Sequence, residues 1–472
     1  MSKTILAVDV GSTKISVVIA EVADDGNIEV TGHGFAKSHG VKKGVITNIE
    51  LAARSIKKAL ADARRIAGNN ISVATVSISN AYVKSLNSTG VVNIPHKDIS
   101  LKEINRAMET ALYNANIPNE YEVIHVLPYN FKVDDQDFIE DPYGMNASRM
   151  EVDVNIILTQ KSSLSNLTKA IRSAGIDIES IVLNSYASAL STMNSDEREL
   201  GVAVIDMGGQ TSSLIIHTGN SIRYNDFIPV GSNHITNDLS MALHTPLHSA
   251  EKVKIQYGNL INTETDVIDL PVIGDEENHN TISLEIVHSV ILARVEELLV
   301  LLERSFSKSG LEDQVGSGII LTGGMTKLRG LRELAQAIFH AKPVRVGYPR
   351  TLEGLFDDLN DPEFATVIGL LLYRVGEHTQ YEIDNARRLL HNKQEEGQSE
   401  DDLSNIRLHE KDPKGTEGSG DLFGAKSVED PKWGDKDKNR KEAPFSFDDL
   451  TQPDDNDQGA LGRFGNWLKQ LF

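Results

Sequence analysis

Cysteine is absent from the 472 residues, which excludes disulfides, thiolate metal centres and a cysteine nucleophile, and fits a reducing intracellular compartment. Positive charge is in deficit: 47 Lys and Arg stand against 68 Asp and Glu, a formal net charge of -21. Binding a nucleic acid releases counterions only where Lys and Arg face its phosphates, so no nucleic-acid partner is expected. Long apolar runs are missing too. The run after Lys3 ends at Val8 before Asp9, short of the roughly 7 to 15 apolar residues of a signal peptide, so export is not expected. No stretch approaches the roughly 20 apolar residues that span a bilayer, the longest candidates being strand-like runs such as 318–321 with their neighbours. Such a chain lies on a membrane at most.

What is present suffices for a buried core. Hydrophobic residues make up 40% and charged residues 24%, as in globular proteins, and at roughly 100 to 200 residues per domain the length predicts two to four domains. Composition changes beyond the apolar, helix-like stretch 365–374, and folded structure is expected to end near residue 380. From 395 through 458 there are 19 Asp plus Glu against 9 Lys plus Arg, with abundant Gly, Pro, Ser and Asn, which predicts a disordered linker.

An internal echo organises the first 380 residues. Ile5-Leu6-Ala7-Val8-Asp9-Val10-Gly11-Ser12-Thr13 returns as Val202-Ala203-Val204-Ile205-Asp206-Met207-Gly208-Gly209-Gln210-Thr211. Both run from an apolar strand through Asp and a glycine turn to Thr, and each leads into a second extended run, 15–20 and 214–217, as β-hairpins do. Two similar half-molecules follow. Helical spacing fills 51–67 and 163–174, so the class is α/β. Residues 82–160 carry a strand, helix, strand order of their own, with a helix at 104–115 and a strand at 151–158, and read as an inserted subdomain.

The turn Asp9-Val10-Gly11-Ser12-Thr13-Lys14 offers backbone N–H groups and hydroxyls where glycine permits close approach, which suits phosphate oxygens, and Lys14 adds positive charge. A plain hairpin turn has the same letters. The second copy, with Asp206, Gly208, Gly209, Gln210 and Thr211, shifts the balance, because two facing hairpins clamp a polyphosphate and each Asp then approaches a bridging Mg²⁺, through water. A third element, Ile319-Ile320-Leu321-Thr322-Gly323-Gly324-Met325, runs an apolar strand into a double-glycine turn before a helix expected over 328–339. Taken alone it is equally a βα turn.

Together these three elements are the nucleotide-site signature of the actin, sugar kinase and heat-shock chaperone superfamily. Val41-Lys42-Lys43-Gly44-Val45-Ile46-Thr47-Asn48, Asp141-Pro142-Tyr143-Gly144-Met145, 200–209, and Gly231-Ser232-Asn233-His234-Ile235-Thr236 with Ala250-Glu251 narrow the match. In order and spacing the chain resembles the FtsA family of bacterial cell-division proteins over roughly residues 3–374. The resemblance implies an actin-like (ribonuclease H-like) two-lobed ATPase fold with an inserted subdomain, then a disordered tail and a C-terminal amphipathic helix. The implied boundaries are 1–81 with 161–195 and 196–228 with 307–380 for the two core subdomains. They are 82–160 for the insertion, 229–306 for a second-lobe accessory subdomain, 381–458 for the linker and 459–472 for the terminal helix.

The resemblance also implies ATP with Mg²⁺ near Asp9 and Asp206, with Glu251 and Lys254 flanking the adenosine, and Gly231 and Gly323, Gly324 and Met325 lining base and ribose. Glu251 and Lys254 are equally readable as a solvated helical pair at three-residue spacing. It further implies the C-terminal peptide of the tubulin-like FtsZ as a partner on 229–306, self-assembly into filaments, recruitment of later division proteins, contacts of 82–160 either with neighbouring subunits or with those later proteins, and a place at the septum on the cytoplasmic face of the inner membrane. Arg294, on a helix expected over 284–306, is the candidate contact for an acidic peptide if its guanidinium is exposed; a partnership with Glu296 or Glu297 is the other reading.

Two departures from the family pattern stand out: Gln210 replaces the third glycine usual in the second loop, and Ser213 stands where relatives often carry an acid. Where a water-activating acid or Gln is usual, this chain has Asn184-Ser185-Tyr186, none a competent base at neutral pH, so no catalytic residue is assigned and slow hydrolysis at most is expected. A small-molecule kinase would need a further Asp base. A pilus-assembly scaffold of the same fold is the other alternative.

At the C-terminus Leu461, Phe464, Leu468, Leu471 and Phe472 recur at three- and four-residue spacing with Trp467 beside them, while Arg463, Asn466, Lys469 and Gln470 fill the other positions. Such an amphipathic helix is drawn to an anionic membrane surface. Folding back onto the globular part is the alternative.

Overall fold

The computed structural model describes residues 3–391 except 80, 220 and 262–264. The predicted terminal helix and most of the predicted linker lie outside the described residues.

The internal echo is architectural. In the first lobe the hairpin Lys3–Val10/Lys14–Val22 extends to Ile28–Lys37 on one side and, by parallel pairing, to Val73–Ile78 and Asp177–Leu183 on the other. In the second lobe the hairpin Val202–Met207/Ser212–Thr218 extends to Ser221–Ile228 and, in parallel, to Ile319–Thr322 and Val344–Val346. Both five-stranded sheets therefore have the same strand order. Each central strand is apolar and buried on both faces, as parallel pairing under helices requires, and each delivers an Asp at its C-terminal end: Asp9 opposite Ser16, Asp206 opposite Ser213. Ligands gather at such strand ends in α/β sheets.

Helix Ile49–Ala67 starts where the Asn48 side chain accepts from Leu51 N–H and stops at Gly68 in the left-handed region; it buries Ala52, Ile56, Ala59, Leu60 and Ala63 on the first sheet. Helices Asn184–Thr192 and Ala365–Arg374 pack together between the lobes. Gly369 makes this possible: a Cβ there would lie 1.7 Å from the Ala187 carbonyl oxygen.

Residues 82–160 fold as a four-stranded antiparallel sheet, in the order Val83–Asn93, Arg149–Gln160, Tyr121–Val133, Gln136–Ile139, covered by helix Leu101–Asn114 behind a Ser100/Glu103 capping box. The second lobe's accessory part comprises helices Ser232–Ala242 and Leu247–Tyr257, the hairpin Val267–Val272/Asp275–Ser283 and the long helix Leu284–Lys308.

Two expectations need correction. Folded structure does not end near 380: Tyr381, Glu382, Ile383 and Asp384 are buried, Ile383 exchanges both backbone hydrogen bonds with Val126, and Tyr381 enters the core of the inserted sheet. The helix expected over 328–339 is shorter, a 3-10 turn Gly324–Lys327 preceding helix Leu331–Ile338.

Candidate functional site

The two Asp-bearing hairpins converge from opposite lobes on one cleft, a cavity of about 480 Å³, within the usual range of small-molecule sites. Asp9, Gly11, Ser12, Thr13 and Lys14 line it from the first lobe, and Asp206, Gly208, Gly209 and Thr211 from the second. Gly323, Gly324 and Met325 close a further wall, and Glu251 and Lys254 another. Gln210 and Gly231 are not among the lining residues. Gly231 instead backs the second turn, with Ser232 N–H bonded to Gly208 O (3.0 Å) and Asn233 N–H to Gly209 O (2.7 Å).

Each Asp is held by hydroxyls that sequence reasoning missed. Ser77 Oγ donates to Asp9 Oδ1 (2.8 Å) while accepting from Val10 N–H (2.9 Å). Ser188 Oγ donates to Asp206 Oδ2 (2.7 Å), supported by Thr366. Ser77 lies near the end of the strand Val73–Ile78, and Ser188 and Thr366 lie on the paired helices between the lobes; nothing in their own sequence neighbourhoods marks them. Burial pushes the Asp9 carboxyl up to about 6, the Ser77 bond opposes this, the Asp206 carboxylate adds to the rise and Lys14 opposes it. Burial raises Asp206 as well, against the pull of Ser188 and Thr366. Two carboxyls that burial disfavours as anions, lining one cavity, suit a nearby cation.

Lys14 is not spare charge. Its ammonium pairs with Glu363 at 3.0 Å and lies over the Phe364 ring, and burial lowers its pKa against the opposing effect of Glu363. Glu363 also takes Lys327 at 2.9 Å, so this ionic chain crosses from the first lobe to the second.

On the side away from the turns, Lys254 bonds Glu251 (2.7 Å), Thr236 Oγ1 (2.9 Å) and Ser232 O (3.3 Å), and Ile255, Gly258, Met325 and Leu328 make a slot beside them. The three-residue pair is thus a wall of the cavity rather than a purely solvated one. Of the helix start Asn184-Ser185-Tyr186, Asn184 lines the cleft, whereas Ser185 and Tyr186 are buried. Ser213 is buried beside Asp206 in the hairpin.

Arg294 is not the exposed guanidinium expected for peptide capture. Its side chain is 17% exposed and forks onto Asp238 at 2.6 and 3.1 Å, with Glu297 on its other side. The helical partnership with Glu297 is the one the structure contains.

Two lobes of repeated sheet order, closing on one cleft with an Asp from each, define an actin-like fold with an inserted sheet subdomain. Comparison with known proteins agrees. Residues 203–369 match the family described as Cell division protein FtsA, and residues 80–158 match the SHS2 domain inserted in FtsA. The chain is 39% identical over 414 residues to Cell division protein FtsA of Helicobacter pylori strain J99, covering 81% of this chain and 84% of that one. The corresponding protein of Pseudomonas aeruginosa is 37% identical over 374 residues, 79% of this chain and 89% of that one. Among solved structures, the PilM-PilN type IV pilus biogenesis complex matches with a TM-score of 0.57 at 18% identity, over 79% of this chain and 98% of that chain, a likeness of fold. The chain belongs to the FtsA family of cell division proteins.

Proposed function

We propose that this chain binds ATP with Mg²⁺ in the interlobe cleft, assembles into filaments on the cytoplasmic face of the inner membrane, and there holds the tubulin-like FtsZ and later division proteins at the septum. The observation that carries the nucleotide part is the convergence of Asp9 and Asp206, one from each lobe, at the ends of two glycine turns in one cavity. Turn amides and the hydroxyls of Ser12, Thr13 and Thr211 suit phosphate oxygens, and the slot of Ile255, Met325 and Leu328 beside Glu251 and Lys254 suits a base and ribose. Two carboxylates are too few to cage a cation, so Mg²⁺ would complete its shell with phosphate oxygens and water.

The cleft supports binding rather than turnover. Asn184, the side chain presented where a water-activating group is usual, is no base, and Asp9 and Asp206 are engaged by Ser77 and Ser188. Hydrolysis slower than the ordinary enzyme range of about 1 to 1000 per second is the corresponding expectation.

The partner and membrane assignments rest on family membership and on the sequence. The FtsZ peptide is assigned to residues 229–306, where Arg294 would have to exchange Asp238 or Glu297 for a peptide carboxylate. The membrane contact is assigned to Leu461, Phe464, Trp467, Leu468, Leu471 and Phe472, whose weak individual hold is multiplied when a filament links many copies. Thermal unfolding with and without Mg²⁺ and ATP tests the central claim, since a ligand bound only by the folded state raises the melting temperature. Asp206→Ala should abolish the rise; an undiminished rise in that variant would remove Asp206 from the site.

A further inference from the structure

The turn Lys42-Lys43-Gly44 joins the two short strands Val41–Lys42 and Val45–Ile46 beside the first glycine turn. Lys43 and Gly44 both have positive φ, 46° and 78°, and Gly44 is pressed so closely on Ser79 that a Cβ would lie 1.9 Å from its hydroxyl oxygen. The turn is thus seated on the first lobe. Its two successive amides bond in different directions. Gly44 N–H donates to Ser12 Oγ (2.8 Å), within the first glycine turn. Lys43 N–H donates to Gln210 Oε1 (2.8 Å), in the second lobe and 167 residues away.

We propose that Gln210 and the Lys42–Gly44 turn form a latch across the phosphate end of the cleft, and that its opening limits release of the bound nucleotide. This rests on the nucleotide reading above. Gln210 stands in the second glycine turn but does not line the cavity, so its role is a tie between lobes rather than a ligand contact. A glycine at this position has no acceptor and cannot make the tie. The lobes also touch here: a Cβ on the neighbouring Gly209 would lie 1.8 Å from Thr13 Oγ1, so separating the lobes at this end must break the Lys43–Gln210 bond. The latch also reaches the ligand's side. Because Ser12 Oγ accepts from Gly44, its own proton is left to donate, and a phosphate oxygen at the first turn is the acceptor that the geometry offers. A terminal phosphate therefore strengthens the seating of the same turn that Gln210 holds from across the cleft.

The test uses the full-length chain loaded with Mg²⁺ and a methylanthraniloyl-ATP probe, then chased with excess ATP while fluorescence reports dissociation. Gln210→Gly removes the side chain, and Gln210→Met keeps its length without the acceptor. Both should accelerate dissociation by about threefold to tenfold, the worth of one hydrogen bond. Amide exchange in the nucleotide-free chain gives a second readout: the Lys43 N–H should lose protection in both variants. Unchanged dissociation in both, or acceleration in Gln210→Gly alone, overturns the latch while leaving the nucleotide reading standing. Failure of the wild-type chain to bind the probe overturns the nucleotide reading and, with it, the latch as a gate, whatever the Lys43 amide does.

Discussion

His125 Nδ1 donates to Glu382 Oε1 across 2.6 Å, with neither side chain exposed to solvent. The Leu183 N–H occupies Nε2 at 3.0 Å, so the ring proton resides on Nδ1. The same carboxylate accepts from the hydroxyls of Tyr186 (3.0 Å) and Tyr373 (2.8 Å), both pushed well above the usual phenol range by burial and then by Glu382, so both remain donors. The inserted sheet, the two interlobe helices and the segment after residue 380 thus meet at one carboxylate. Glu382→Ala should leave two buried donors, His125 Nδ1–H and the Tyr373 hydroxyl, without an acceptor, while Tyr186 keeps Thr379 Oγ1 at 3.0 Å, and destabilise the fold by about 3 to 5 kcal/mol in denaturant titrations. Cutting the chain after Gln380 should cost at least as much; a loss under about 1 kcal/mol in either would mean that the segment merely rests on the surface.

Ser188 acts on the site through Asp206. Replacing it by alanine removes the 2.7 Å bond that orients the carboxylate, and Mg²⁺-dependent ATP affinity should fall by about threefold to tenfold. Binding measured with EDTA in place of Mg²⁺ should change less. An equal loss in both conditions would assign Ser188 to general packing.

Asp9 makes the site sensitive to pH. Its carboxyl, normally near 3.8, is raised to about 6 in the fold, so its protonation contributes stability that is fully present below 3.8 and is lost as pH rises through 6. On the proposed nucleotide reading, a cation replaces that proton. The melting-temperature gain from Mg²⁺ and ATP should therefore grow from about pH 5 to about pH 7.5, and Asp9→Asn should flatten the dependence. A wild-type gain that is flat across this window would show that Asp9 does not face the cation.

Arg294 sits between Asp238 and Glu297, and Glu297 is already raised by burial against the lowering effect of Arg294. Arg294→Glu should destabilise the accessory subdomain by about 3 kcal/mol or more, because it leaves three acids together. Isothermal titration with an FtsZ C-terminal peptide should therefore be read against Asp238→Asn, which loosens the arginine without removing it. Arg294 leaves the peptide site if affinity rises in neither variant and falls only in step with unfolding.

The proposed membrane contact of residues 459–472, which lie outside the described residues, is tested by removing them or by Phe464→Glu with Trp467→Glu. Either change should release the protein from anionic vesicles in co-sedimentation while leaving the ATP-induced melting shift intact. Vesicle binding that survives the truncation would place the contact elsewhere.

The sequence alone carried the plan of the fold, because that plan is written in local pattern. The repeated strand, Asp, glycine turn and Thr located both sheets' central hairpins, apolar strand-like runs with helical spacing between them marked the α/β class, and a strand, helix, strand order marked an inserted subdomain. The same turns named the two facing sides of the cleft, since glycine and hydroxyl residues beside an Asp announce their chemistry within ten residues of chain. Tertiary structure decided whatever depends on a partner far away. Ser77, Ser188 and Thr366 look like ordinary small residues until folding sets them against Asp9 and Asp206. Gln210 reads as a departure from a glycine loop until Lys43 arrives from 167 residues away. Arg294 reads as an exposed charge until Asp238 folds over it. The end of the folded region was misjudged for the same reason: Glu382 and Asp384 have the composition of a linker, and only long-range hydrogen bonds from His125, Tyr186 and Tyr373, which no local pattern encodes, make burial of Glu382 favourable.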